Sequence, residues 1–320
     1  MTTMRELSHA RQRDALLAAL HPIADLLQDD TIVEIMLNAD GVVWIDRLGR
    51  GMSATQIRLQ PAEGERMLRH IAASLGRELN DSHPTLSCQL PHYGARVQGS
   101  LPPIVSAPVF ALRKPASLVF SLADYVSQGV LTERQAQRIE ECIKARANIL
   151  IAGGTGSGKT TFANALLQVL ASTGDRVLLV EDTPELRCTA PNKLEFYLTE
   201  SFSCRDAIKS AMRYRPDRII VGEIRDGAAA LEFLKAANTG HPGSLATLHA
   251  NGTREALTRI CQLCEEVVAS IAKEIVAETI NVCVHITRDP KARAGRSISG
   301  LDRVVGFTPD DGFALEPLAL

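Results

Sequence analysis

Residues 148–161 read Asn-Ile-Leu-Ile-Ala-Gly-Gly-Thr-Gly-Ser-Gly-Lys-Thr-Thr. From Gly153 to Thr160 they satisfy the phosphate-loop pattern G-x-x-x-x-G-K-[ST] at every position. The apolar residues up to Ala152 predict a short buried parallel strand, and the Ala/Leu-rich run Phe162 to Ala171 predicts a helix. Strand, glycine loop and helix are the context the motif needs. Gly153, Gly154, Gly156 and Gly158 allow positive φ and let backbone N–H groups turn onto an anion. The following helix adds unpaired amides and the positive end of its dipole. Lys159 supplies a cation for the outer phosphates, and the Thr160 hydroxyl is placed to ligate Mg²⁺. The candidate binding residues for ATP are therefore Gly153, Gly154, Thr155, Gly156, Ser157, Gly158, Lys159, Thr160 and Thr161. Chance alone yields this pattern in such a chain with odds on the order of one per cent. A loop that merely turns the chain is the weaker reading.

Outside the loop, the bulk numbers bound the answer. A chain of 320 residues suggests two domains, each large enough for a core. Lys+Arg 35 against Asp+Glu 37 leaves no basic surplus to attract nucleic acid, so no sequence-specific nucleic-acid partner is expected. The seven scattered cysteines fit reduced thiols in a cytosol-like compartment. Cys261-x-x-Cys264 has no second Cys or His pair after it, and reads as one face of a helix rather than a zinc site. Ala15 to Leu27 is apolar but interrupted by His21, Pro22 and Asp25, with no small-residue cleavage site following, and so does not read as a signal segment. No apolar run is long enough to span a bilayer, so the expectation is a soluble protein that could still dock on a membrane complex.

In chain order, residues 5–28 predict a helix, and Ile32–Asn38 and Val42–Ile45 two strands across an Asp-Gly turn. Pro61 opens a helix running through Leu75. Strands are expected over 85–90, 96–101 and 109–112, closing an N-terminal α+β domain over 1–114. Residues 115–131, with a proline, serines and Gln128-Gly129, read as a linker to a second domain over 132–320. Thr132 and Gln135 stand in capping-box register for a helix to about Arg146. Beyond 148, Val177–Val180 and Arg218–Gly222 are short aliphatic runs, the mark of central parallel strands covered on both faces.

Three polar clusters follow such runs, at the strand ends where open α/β sheets bind ligands. They are Glu181-Asp182-Thr183-Pro184-Glu185, Glu223-Ile224-Arg225-Asp226 and His249-Ala250-Asn251. Phosphoryl transfer to water needs a carboxylate to orient the water, a metal site, and cations for charge on the γ-phosphate. Glu223 and Glu181 are candidates for the first two roles; otherwise they are strand-end carboxylates paired with Arg225 or Arg187.

The loop at 153–160, Glu-Asp-Thr-Pro-Glu at 181–185, Arg-Pro-Asp-Arg-Ile-Ile-Val-Gly-Glu-Ile-Arg at 215–225, and Thr-Gly-His-Pro-Gly-Ser-Leu-Ala-Thr-Leu-His-Ala at 239–250 form an ordered series. It resembles the Walker A, Asp box, Walker B and His box of the secretion ATPase superfamily of type II and type IV secretion. Gly94–Gly99 with Leu101-Pro102-Pro103, then Phe110–Pro115, is similar to the N-terminal domain of the conjugal-transfer branch. The resemblance implies an α/β fold: a RecA-like P-loop domain on a mainly parallel sheet, preceded by a smaller α+β, PAS-like domain. It implies a homo-hexameric ring in the cytoplasm, peripheral at the inner membrane and joined to inner-membrane components of a conjugation machine. Its work would be ATP hydrolysis that energises pilus or channel assembly and substrate transfer. Carried over by position, Lys159 and Thr160 hold phosphate and Mg²⁺, Glu223 is the general base, Glu181 supports metal and water, and His249 senses the γ-phosphate or couples to a neighbour. Arg113 and Arg96 would present guanidinium groups to the phosphates. His241, in the Gly240–Gly243 turn, is open between a structural and a functional role. The rival is a DNA-translocating RecA-like ATPase. Near-neutral charge and only eight Phe, four Tyr and one Trp speak against a stacking channel.

Overall fold

The structure, a computed structural model, describes residues 4–47, 50–115, 119–199 and 201–318. The chain divides into two compact units, Met1–Leu118 and Val119–Leu320.

The first unit opens with helices α1 (Met4–Leu20) and α2 (Ala24–Gln28). The single helix expected over 5–28 is interrupted by a tight turn at His21–Ile23, because Pro22 lacks an N–H and cannot continue the ladder. Strands β1 (Ile32–Leu37), β2 (Val42–Arg47) and β3 (Gly51–Arg58) follow, then α3 (Pro61–Ser74), β4 (Thr85–Gln89), β5 (Arg96–Ser100) and β6 (Val109–Arg113). They form one antiparallel sheet of order β3-β2-β1-β6-β5-β4. The sequence gives no signal for β3, an exposed edge strand with no buried face. At the start of α3, Pro61 follows a capping box in which the Gln60 N–H donates to Glu63 Oε2 at 2.8 Å. Met67, Leu68 and Ile71 of α3 share one core with Leu16 and Leu20 of α1 and with Ile35, Val97 and Leu112 of the sheet. Gly99 lets α3 settle this closely, since a Cβ there would collide with Leu68.

The second unit begins with α4 (Leu122–Ser127) and α5 (Glu133–Lys144). From Val119 onward, the linker expected over 115–131 is therefore part of a folded unit. Ser121 caps α4 by accepting from the Asp124 N–H, and Leu122, Tyr125, Val130 and Leu131 are buried in the core. The serines suggested a tether, while Leu122, Tyr125 and Val126 carried the helical spacing that prevails. Next come β7 (Ile149–Ala152), α6 (Lys159–Ala171), β8 (Val177–Glu181), β9 (Lys193–Tyr197), α7 (Cys204–Ala211) and β10 (Arg218–Val221). The chain closes with α8 (Gly227–Asn238), β11 (Leu245–Leu248), α9 (Thr253–Glu265), α10 (Lys273–Thr279), β12 (Val282–Arg288), β13 (Arg296–Thr308) and β14 (Gly312–Pro317).

The sheet order is β14-β13-β12-β7-β11-β10-β8-β9. From β12 to β9 every pairing is parallel, while β12–β13 and β13–β14 are antiparallel. The sheet is thus mixed, with an antiparallel extension added to the parallel core. Successive residues of the central strands alternate between two cores. Leu150, Leu178 and Ile219 belong to one, and Ile151, Leu179 and Ile220 to the other. Burial on both faces explains why these strands read as unbroken apolar runs. Parallel pairing also brings the C-terminal ends of β7, β11, β10 and β8 to one edge of the sheet.

Candidate nucleotide-binding site

Between β7 and α6 the chain turns through Gly156 at φ 66° and Gly158 at φ 101°, both in the left-handed region. Helix α6 starts at Lys159, three residues before the expected Phe162, so Lys159, Thr160 and Thr161 occupy its first turn. N–H groups in the first turn of a helix have no carbonyl four residues back within that helix to bond. Gly153 leaves no room for a side chain, as a Cβ there would strike the Ile286 carbonyl oxygen and Ser157 Oγ. Ser157 Oγ itself is buried, with no hydrogen-bond partner among the described residues.

Lys159 is almost fully buried, and its Nζ donates to the Gly153 and Gly154 carbonyls at 3.0 Å each. The same Nζ lies 3.4 Å from Nδ1 of His249, the residue after β11. An ammonium can only donate, so Nδ1 accepts, and the imidazole proton sits on Nε2. His249 Nε2 meets Glu223 Oε1 at 2.7 Å. Glu223 Oε2 accepts from Arg225 Nε at 2.7 Å, and Arg225 Nη1 reaches Asp182 Oδ2 at 2.7 Å. The start of α6 and the ends of three strands, β11, β10 and β8, are thereby joined in one polar chain: Lys159, His249, Glu223, Arg225, Asp182. Glu223 does pair with Arg225, but it holds His249 as well.

Glu181 stands outside this chain. It is 5% exposed, and its Oε1 accepts from the N–H groups of Glu185 at 3.0 Å and Leu186 at 2.7 Å. Burial pushes its carboxyl up from 4.5 to about 7, with the charges of Glu185 and Glu195 adding to the effect and the two backbone bonds opposing it. Glu181 thus shapes the 182–186 turn, while Asp182, which sequence reasoning passed over, engages Arg225. Asp182's only signal was its adjacency to Glu181.

His241 precedes β11, at the edge opposite His249, where its Nδ1 lies 3.0 Å from the Pro216 carbonyl oxygen. That placement favours the structural role. Arg96 and Arg113 belong to the first unit, where β5 and β6 set them directly opposite each other in register. Two further arginines were missed. Arg288, the last residue of β12, donates from Nε to the Gly156 carbonyl at 3.1 Å. Arg296, its register partner on β13, has its guanidinium against Gly158. Only recognition of Val282–Ile286 as another aliphatic strand beside β7 would have brought them forward. Cys261 and Cys264 are buried in the core on α9, and burial pushes their thiols up to about 11 and about 12. Among the described residues, no group of three or more His, Cys, Asp or Glu could hold a metal by itself, and no helix is long and apolar enough to cross a membrane.

A phosphate loop on the central strand of an α/β sheet, with acidic and histidine side chains gathered at the same sheet edge, defines the P-loop nucleotide-binding class. Within that class, the chain belongs to the Type II/IV secretion system protein family, which matches it over residues 17–304. It is 46% identical over 274 residues to the conjugal transfer protein TrbB of Rhizobium radiobacter, covering 85% of this chain and 84% of that one. It is 30% identical over 292 residues to the type IV secretion system protein VirB11 of Bartonella quintana, covering 78% and 81%. Among solved structures, the Yersinia pseudotuberculosis ATPase DotB is similar with TM-score 0.67 over 92% of this chain and 80% of that one. At 21% identity, that likeness is one of fold.

Proposed function

We propose that this chain is an ATP-hydrolysing motor of a type IV secretion or conjugative transfer system. Its second unit is read as a RecA-like P-loop domain and its first as PAS-like, a reading supported by the central place of β1 in the first sheet. The observation that carries the function is the unbroken polar chain from Lys159 in the loop to Glu223 and Asp182 at neighbouring strand ends. A loop that only turned the chain would have no use for a buried ammonium aligned with a carboxylate one imidazole away.

The residues fit a nucleotide. Among the described residues Ser157 Oγ has no hydrogen-bond partner, the glycine cradle excludes side chains, and the loop leads into the N-terminus of α6, whose dipole favours an anion. Lys159 would exchange its carbonyl partners for phosphate oxygens. His249 would then be released to follow the γ-phosphate, and Glu223 to orient the attacking water as general base. Thr160, with Glu181 or Asp182 nearby in the Asp box, would hold Mg²⁺. So few protein ligands suit this ion, which usually keeps waters and substrate phosphates in its shell. When bound, Mg²⁺ would neutralise charge developing on the transferring phosphoryl group. Arg113 and Arg96 are assigned to the same phosphate, in their own chain or a neighbouring one. Assembly as a homo-hexamer, cytoplasmic and peripheral to inner-membrane partners, completes the reading. What supports it is family membership and similarity to proteins named for conjugal transfer and type IV secretion.

Two variants test the assignment. Lys159→Ala should lose both nucleotide binding and hydrolysis, whereas Glu223→Gln should bind ATP normally and turn over at least about 100-fold slower. Wild-type turnover in the glutamine variant would remove Glu223 from its role.

A further inference from the structure

Resting on the reading of the loop as a nucleotide site, we infer that Arg288 and Arg296 form with Tyr125 a second half of that site, which grips the nucleoside-diphosphate end of the nucleotide. The strand order sets the polarity. β7 lies between β11 and β12, and Leu248 of β11 and His285 of β12 are both registered on Ala152. His249 and Glu223 stand on the β11 side of the loop, Arg288 and Arg296 on the β12 side. In phosphoryl transfer the attacking and leaving oxygens lie roughly in line. A water held by Glu223 therefore attacks from the β11 side, and the leaving diphosphate extends toward β12.

What awaits it there is chemically apt. The Arg288 guanidinium reaches the loop at Gly156 and that of Arg296 at Gly158, so close that a Cβ on either glycine would collide with it. Arg288 spends Nε on the Gly156 carbonyl, which leaves its two Nη groups for an oxyanion. Among the described residues, neither arginine is ion-paired with a carboxylate. Independently, Tyr125 is 3% exposed, and its hydroxyl has no hydrogen-bond partner among the described residues. Its ring meets Phe162 of α6 edge-on at 5.2 Å, and its phenol feels the Arg296 charge. A buried hydroxyl with no partner among the described residues, near the Arg296 charge and packed on Phe162 of α6, suits the ribose or α-phosphate of a nucleoside diphosphate. In this arrangement ADP and ATP are gripped alike, and the γ-phosphate is left to Lys159, His249 and Glu223.

The test is binding of ADP, ATP and adenosine to the full chain by calorimetry, together with steady-state hydrolysis. Arg288→Ala and Arg296→Ala should each weaken ADP and ATP by the same factor, about tenfold or more, as expected for loss of a charge-assisted phosphate contact. KM should rise while kcat changes less than about twofold, because the contact is common to ground and transition states. Arg288→Lys should recover only part of the loss, since the planar fork is gone. Adenosine should bind the arginine variants and wild type equally. Wild-type ADP affinity in both alanine variants would overturn the inference, and so would loss of ATP affinity with ADP affinity intact. Lys159→Ala separates the two readings. If it loses nucleotide while the arginine variants do not, only this inference falls; if it binds ADP as wild type does, the nucleotide reading of the loop falls with it.

Discussion

Glu181 is buried, yet it ends β8 at the sheet edge that carries the phosphate loop, and its proton makes a measurable link between stability and pH. Its carboxyl is pushed up from 4.5 to about 7, mainly by burial. An acid that binds its proton more tightly when folded adds stability below its unfolded value and loses that contribution as pH rises through the folded one. Stability should therefore fall between pH 4.5 and about 7 and then level off. A shift of that size corresponds to about 3 kcal/mol at 1.36 kcal/mol per pH unit. Glutamine at 181 resembles the neutral acid: its carbonyl can still accept from the Glu185 and Leu186 N–H groups, but it carries no charge to bury. Urea unfolding of wild type and Glu181→Gln, without nucleotide or metal, should give closely similar midpoints at pH 5. At pH 8 the variant should be the more stable by about 2–3 kcal/mol. Saturating Mg²⁺ and ATP should shrink the pH 8 gap, because a cation near the carboxylate favours its charged form. Parallel stability curves from pH 5 to 8 would refute the reasoning, since Glu181 would then titrate as an exposed acid.

Further outcomes follow from other parts of the molecule. Arg218 is 1% exposed and donates to Asp175 at 2.6 Å and to the Ile143 carbonyl at 2.8 Å, so Arg218→Ala should cost about 3–5 kcal/mol by denaturant titration. Burial opposes the charge on Asp175, but Thr173, Arg218 and Arg146 outweigh it and hold the carboxyl below the usual range, so the pair's contribution should disappear only as pH falls through that lowered value. Arg113→Ala should lower turnover by up to about 10³-fold with little loss of ATP affinity; normal hydrolysis in the assembled variant would show the arginine to be a surface residue. Mixing it with Lys159→Ala protein reports whether the arginine acts across a subunit boundary, because only then does activity recover. Since Cys261 and Cys264 are packed in the core, elemental analysis should find no stoichiometric zinc, and one zinc per chain would contradict that reading.

Local chemistry made much of this protein readable in its sequence. The glycines of the loop permit the positive φ that Gly156 and Gly158 adopt, Pro61 and the Thr132 cap mark helix starts within a few residues, and buried parallel strands announce themselves as aliphatic runs. Other features were not readable. β3, β13 and β14 lie at or near sheet edges, and half-exposed residues there carry no clean alternation. Tertiary structure alone decided that Asp182 rather than Glu181 engages Arg225, and that Arg288 stands over Gly156, 132 residues away in sequence. Those juxtapositions depend on strand order. Nothing in a strand's own residues says which neighbour it will have, because the backbone hydrogen bonds that pair strands are the same for every sequence.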